Sequence, residues 1–233
     1  MNEQPLSGGF VNHVVRIGGT VRRGTADRSE FVHQLLRHFE QHAWPGAPRF
    51  LGMDDQGREV LTFLDGHVPS RSQDGLAEVA RLVRRFHDLT AGTPLAGDQE
   101  VVCHNDLSPM NTVYRGGRPF AFIDWDLAAP GARVHDVAHM CWQYLDLGPA
   151  VDDLATTCRR LRLLCDAYGL TDQSQVVKTI LWWQDRTATG IESDPALVRL
   201  RDSGAARSVR RAHAWVTGHR AELEAALTPP PAA

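Results

Sequence analysis

The sequence predicts an α+β fold in which a small, strand-rich amino-terminal part precedes a larger, mainly helical one. Three observations predict it. Short valine- and glycine-bearing segments that double back crowd the first 66 residues. Apolar residues recur at three- and four-residue intervals over 150–222, the period of helices with one buried stripe. Between these regions Val101 to Asp126, VVCHNDLSPMNTVYRGGRPFAFIDWD, sets polar residues at fixed intervals among short apolar runs. At 233 residues and 42% hydrophobic, the chain can bury a sizeable core, as one compact two-lobed unit or as two small domains.

Taken in order, Leu6 to Ile17 opens as a glycine turn at Gly8 and Gly9 feeding an extended, valine-bearing segment. Gly18-Gly19 is a two-residue hairpin signal, and Thr20 to Arg23 returns as the partner strand. Asp27 to Gln41 reads as a helix because Phe31, Leu35, Leu36 and Phe39 share one face. Asp27-x-x-Glu30 has capping-box spacing, which leaves Glu30 two readings: a helix cap, or a helix glutamate that orients a phosphate-binding cation. Pro48 to Met53 and Arg58 to Leu64 are two strands joined by the DDQG turn, and Asp65-Gly66 ends the second. Leu76, Val79, Val83, Phe86 and Leu89 make an amphipathic helix, with His87 beside its apolar face as a core histidine. A connector over 91–99 leads into the central stretch, whose TVYR-GG-RPFAFI is a further hairpin.

The central stretch carries the chemistry. Moving the γ-phosphoryl of ATP to a hydroxyl needs divalent metal bridging the phosphates, and such ions take oxygen ligands from carboxylates and amides. Asn111 and Asp124 supply that pair. The acceptor hydroxyl must also be aimed and relieved of its proton, which suits a carboxylate beside the metal; Asp106 has that place. His104-x-Asp106-x-x-x-x-Asn111 is one loop, and the hairpin after it brings Asp124 back to the same volume. The bland alternative is a polar turn, with Asp106 and Asn111 bonding their own backbone and Asp124 capping a strand end.

HNDLSPMN followed by FIDWD resembles the catalytic and metal-binding segments of the aminoglycoside phosphotransferase family, small-molecule kinases with the two-lobed protein-kinase fold. The resemblance is strong across Val101 to Asp136, weaker over Pro5 to Gly66, and slight after about Leu147. It implies a protein-kinase-like fold, with a small β-rich nucleotide-binding lobe over 1–66 and a larger, mainly helical catalytic and substrate-binding lobe over 67–233. It implies ATP and Mg2+ as cofactors, Asp106 as catalytic base, Asn111 and Asp124 as metal ligands, and His104 as a brace for the loop. The backbone around Phe63, Leu64 and Asp65 is then the place for the nucleotide base. Asp126, two residues past the metal aspartate, touches a second ion or only water.

One departure from the family pattern bears on mechanism. Kinases carry a lysine on the strand after the glycine hairpin, yet Lys178 is the only lysine among the 25 lysines and arginines. Arg23, or failing that Arg22, must meet the α and β phosphates; strand alternation puts the two on opposite faces, and Arg23 stands last in Thr-Val-Arg-Arg, where the lysine is expected. An arginine can bind phosphate with a two-pronged fork.

Net charge of −3 and a pI near 6.4 give no field favouring nucleic acid or an anionic membrane. No apolar run approaches a membrane span and no signal pattern opens the chain, so a cytoplasmic protein is expected, where ATP is available. Cys103, Cys141, Cys158 and Cys165 form no ligand spacing and read as reduced thiols; His135 and His139 are four apart, without a general-base Glu or third ligand beside them. Trp182, Asp185, Glu192 and Asp194 are candidates for the acceptor pocket, because aromatics with carboxylates attract polyhydroxylated amines; the bland reading is core tryptophans and solvated acids. The function expected is ATP- and Mg-dependent O-phosphotransfer to a hydroxyl of a small molecule, an aminoglycoside or another antibiotic. The second reading is a catalytically weak kinase-fold protein that binds nucleotide or a toxic small molecule and confers immunity by sequestration.

Overall fold

The computed structural model describes residues 3–6 and 14–228, so the glycine turn expected at Gly8 and Gly9 lies outside the described residues. The order of elements is β1 (Gln4–Pro5), β2 (Val15–Ile17), β3 (Thr20–Arg23), α1 (Ser29–Gln41), β4 (Phe50–Met53), β5 (Glu59–Thr62), α2 (Leu76–Thr90), β6 (Val101–Cys103), β7 (Thr112–Arg115), β8 (Arg118–Phe122), β9 (Ala129–Gly131), α3 (Arg133–Leu145), α4 (Leu154–Tyr168), α5 (Val176–Ser193), α6 (Val198–Asp202), α7 (Ala205–Gly218) and α8 (Arg220–Leu227). This is the α+β order expected, an antiparallel sheet first and helices after. The chain forms two compact units, residues 1–70 with 85–131 and residues 71–84 with 132–233. The segment 104–111 and the hairpin after it therefore group with the amino-terminal sheet.

In the first unit five antiparallel strands run in the order β1-β2-β3-β5-β4. Gly18, at φ +60°, makes the β2–β3 turn tight, and β3 pairs with β5 so that Arg23 faces Glu59 across the ladder. Helix α1 buries Leu35, Leu36 and Phe39 of the expected stripe, but Phe31 is only half-buried and Val32 and His33 are buried in its stead. The capping box does not form: the helix starts at Ser29 without a side-chain cap, and Glu30 is exposed and accepts a bond from Gln34. The chain turns back one residue later than the Asp27 spacing needs, so Ser29 Oγ instead accepts from Ala26 N–H.

Phe39, Trp44, Phe86, Phe122 and Trp125 make an aromatic core of edge-to-face and tilted contacts against His104. Phe39, Phe86 and Trp125 are at most 1% exposed, and each such buried aromatic contributes about 1.5–3 kcal/mol from apolar burial. Gly66 is where the chain after β5 touches the β7–β8 hairpin. A Cβ there would lie 2.4 Å from Val113 Cγ1 and 2.7 Å from the Tyr114 carbonyl oxygen, so only glycine fits this approach.

The second unit is helical. Helix α5 packs on α3 and α7, and α4 on α8. The stripes expected from sequence are its core: Leu161, Leu164, Tyr168, Val176, Val177 and Ile180 are buried, while Leu154 and Leu181 stand at the edge. His139 is buried among Trp142 and Trp183, and His135 stacks on Trp182, which gives both histidines packing partners. No helix among the described residues is long and apolar enough to cross a membrane.

Candidate functional site

The site is built from backbone outward. Val101, Val102 and Cys103 on β6 are fully buried, and the loop that follows is fixed at its first residue. His104 is buried and uses both ring nitrogens: Nδ1 accepts from Asp106 N–H at 3.3 Å, and Nε2 donates to the Ile123 carbonyl at 3.0 Å. One imidazole thus ties the loop that carries Asp106 to the residue before Asp124. Asn105, at φ +63°, turns the chain so that Asp106 leaves the core; its side-chain amide donates to the Leu127 carbonyl at 2.9 Å.

Asn111 closes the loop. Its Nδ2 donates to the Asp106 carboxylate Oδ2 at 2.8 Å and to the Asp106 backbone carbonyl at 2.9 Å. Both amide hydrogens are committed, so the group Asn111 can offer a cation is its carbonyl oxygen. The Asn111 backbone carbonyl also accepts from Ile123 N–H at 2.9 Å, which sets the strand end carrying Asp124 beside it. Asp124 itself sits at φ +62°, a left-handed backbone that costs about 1–2 kcal/mol for a residue with a Cβ and is eased for short polar side chains. Its carboxylate is half exposed. The polar-turn alternative is therefore half right: Asn111 does bond the loop backbone, but it also reaches the Asp106 carboxylate.

Arg23 reaches the same place from the sheet. Its Nε pairs with Glu59 Oε1, its Nη2 donates to Asp126 Oδ1 at 2.6 Å, and its Nη1 lies 3.4 Å from Asp124 Oδ1. Burial alone lowers the guanidinium's pKa; Asp126, Glu59 and Asp124 outweigh it and hold the group above its ordinary value. Asp126 feels the reverse balance. Burial, with the like charges of Asp124 and Glu59, lifts its carboxyl above the usual range against the pull of Arg23. Arg22 points to the other face, bonding Thr20 Oγ1 at 2.6 Å with Asp54 3.7 Å away.

A cavity of about 400 Å³ adjoins these groups. Arg23, Phe63, Leu64, Asn111 and Asp124 line it, with apolar walls that include Val21, Leu61 and Trp125. Of the three positions expected at the nucleotide base, Phe63 already gives its N–H to the Gly19 carbonyl, and the Asp65 carbonyl accepts from Arg115. Leu64 is the one whose backbone makes no hydrogen bond among the described residues. The Asp65 side chain lies 3.6 Å from Arg16. For a divalent ion the donors fit: one carboxylate and one amide carbonyl, both hard oxygen ligands.

Two residues of this site were not anticipated. Glu59 is 1% exposed and pairs both oxygens, Oε1 with Arg23 and Oε2 with His33 Nε2 at 2.6 Å. Its signal in the sequence was a charged residue opening an otherwise apolar strand, and that of His33 a polar residue on the apolar stripe of α1. The acceptor candidates lie on and just after α5. Asp185 and Glu192 share one cation, Arg210, which also forks onto Glu192 at 3.1 and 2.8 Å. Trp182 stacks on His135 with Arg186 over its ring, and Asp194 accepts from Ala196 N–H to cap the following turn.

Residues 92–169 match the sequence profile of the phosphotransferase enzyme family. The trifolitoxin immunity protein of Rhizobium leguminosarum bv. trifolii is 32% identical over 95% of this chain and 97% of its own length. Among solved structures, the macrolide 2'-phosphotransferase of Brachybacterium faecium superposes with a TM-score of 0.58 at 16% identity, covering 99% of this chain and 93% of that one. An ADP-bound aminoglycoside phosphotransferase gives 0.55 at 13% identity, covering 92% and 94%. The fold is that of these kinase-like enzymes.

Proposed function

The chain belongs to the phosphotransferase enzyme family, and from that premise we propose that it transfers the γ-phosphoryl of ATP to a hydroxyl of a small molecule in the cytoplasm. Asp106 takes the proton from the acceptor hydroxyl as that oxygen bonds to the γ-phosphorus, and the bond from phosphorus to the β-phosphate oxygen breaks to leave ADP. Asn111, through its carbonyl oxygen, and Asp124 hold Mg2+, which when bound offsets charge on the phosphates. Arg23 meets the phosphates with its two Nη groups, and Leu64 offers its backbone to the base. Residues 1–66 then supply the nucleotide-binding groups, and the base and metal ligands come from the segment after them.

The observation that carries this reading is the side chain of Asn111. It bonds the Asp106 carboxylate, commits its amide hydrogens so that its oxygen is the group left for a cation, and lies next to the strand end that presents Asp124. A polar turn would need none of these three together. The test is Asp106→Asn, which keeps size and removes the base. Transfer to acceptor should fall about 10²–10⁴-fold with nucleotide affinity unchanged. Phosphate incorporation at the wild-type rate would refute the assignment.

A second reading has its own support. The 32%-identical relative is an immunity protein, and an arginine stands where kinases carry lysine. A binder would sequester a toxic small molecule with one-to-one stoichiometry. Screening ATP consumption against aminoglycosides, macrolides and small peptide antibiotics separates the two, since an enzyme turns over many equivalents and a binder none.

A further inference from the structure

We infer that Glu59 is the positioning residue for Arg23, and that His33 of α1 holds Glu59 in turn, so that a strand carboxylate and a helix histidine aim the cation that meets the phosphates. This rests on the reading of Arg23 as that cation. The helix glutamate at position 30 does not do the aiming, because it is exposed and bonded to Gln34.

The geometry is specific. Antiparallel register sets Arg23 directly across from Glu59, so β3 and β5 cannot shift without breaking the pair. Glu59 Oε1 takes the Nε edge of the guanidinium, which leaves Nη1 and Nη2 directed at Asp124 and Asp126. The outer edge is the one a triphosphate would take over; the inner edge stays held. An ammonium has no such division, being one atom with no inner and outer edge, which gives a physical reason for arginine here. Glu59 Oε2 is held by His33 Nε2 at 2.6 Å, and the imidazole stacks on Phe50 with centroids 3.7 Å apart and planes 16° from parallel. At 1% exposure, with both oxygens engaged, Glu59 is positioned to act through Arg23, not to touch substrate.

The test is a double-mutant cycle on Mg2+–ADP affinity, measured by calorimetry on the full chain: wild type, Arg23→Met, Glu59→Leu and the pair. Each single variant should weaken binding about tenfold, and the pair should be no weaker than Arg23→Met alone, since groups acting through one another do not add. His33→Phe keeps the stack on Phe50 and removes only the bond to Glu59; it should weaken binding about threefold, and not at all in the Arg23→Met background. If Arg23→Met binds like wild type, the reading of Arg23 fails and takes the inference with it. If Arg23→Met is weak while Glu59→Leu and His33→Phe are unchanged, only the inference fails. Additive losses overturn it too, because Glu59 would then support the fold alone. Should Glu59→Leu not fold, the His33→Phe pair of measurements decides by itself.

Discussion

Residues 104–126 and helix α5 are both rich in carboxylates and aromatics, yet the structure treats them in opposite ways. In the first, polar side chains are held by buried or half-buried neighbours: His104 holds the loop to Ile123, Asn111 holds Asp106, and Arg23 reaches Asp124 and Asp126 from the sheet. In the second, Asp185 and Glu192 are exposed and satisfied by Arg210 on the next long helix, and Trp182 lies 44% exposed on His135. Charge and aromaticity alone do not make a site. What sets the first region apart is that Arg23, Asn111 and Asp124 line one cavity, and groups held in place before a ligand arrives interact with it more strongly.

The sharpest way to break this contrast is at Asp124. Asparagine tolerates the left-handed backbone at φ +62° and keeps the shape, so Asp124→Asn removes charge with little strain. The Mg2+-dependent part of ATP affinity should fall at least about tenfold, or about 1.4 kcal/mol, while metal-free binding stays as it was. Calorimetry with Mg2+ and with chelator gives both numbers. Equal Mg2+ dependence in variant and wild type would mean that the convergence is structural only.

How much of this was legible in the sequence follows from what each residue depends on. Asp106, Asn111 and Asp124 lie within 19 positions on one loop and one hairpin, so local spacing alone brings them near. Strand alternation, a local rule, separates Arg22 and Arg23 onto opposite faces, and the place of Arg23 at the end of Thr-Val-Arg-Arg favours it. Glu59 and His33 could not be assigned, since their roles depend on the register of β3 with β5 and on which face of α1 meets the sheet. Those are long-range facts that propensity does not encode. The capping box misled for the opposite reason: its spacing is local, but Ser29 takes the bond to Ala26 and the helix begins without it.

A smaller effect is expected at Asp126, where the convergence of three carboxylates on one cation has a cost. Its folded-state pKa lies above the unfolded value because of burial and the nearby Asp124 and Glu59. An acid of this kind binds more protons folded than unfolded, so stability falls as pH rises from about 4 through the raised value. Asp126→Asn removes that fall. In chelator, the variant's Tm should gain on wild type as pH climbs through this interval, by no more than about 4 °C after allowance for solvent screening, and the gain should vanish below it. A difference independent of pH would show that Asp126 is not crowded by its neighbours.

The smallest effect is expected on α5, and it tests the other half of the contrast. Asp185→Asn with Glu192→Gln leaves Arg210 its hydrogen-bond acceptors but removes both charges. The Glu192 carboxyl sits below its ordinary range, chiefly through its bond with Arg210, so the pair is formed at neutral pH. All three groups face water, where ion pairs contribute little. The Tm should stay within about 2 °C of wild type, the range of a surface change in a chain of this length. Turnover of whichever acceptor proves active should likewise hold within about twofold, since exposed groups already paired with each other and with water add little to the transition state. A KM for that acceptor raised tenfold or more with kcat intact would reverse the contrast: the exposed acids would then be the acceptor's docking groups, and Arg210 the cation that a polyhydroxylated amine displaces.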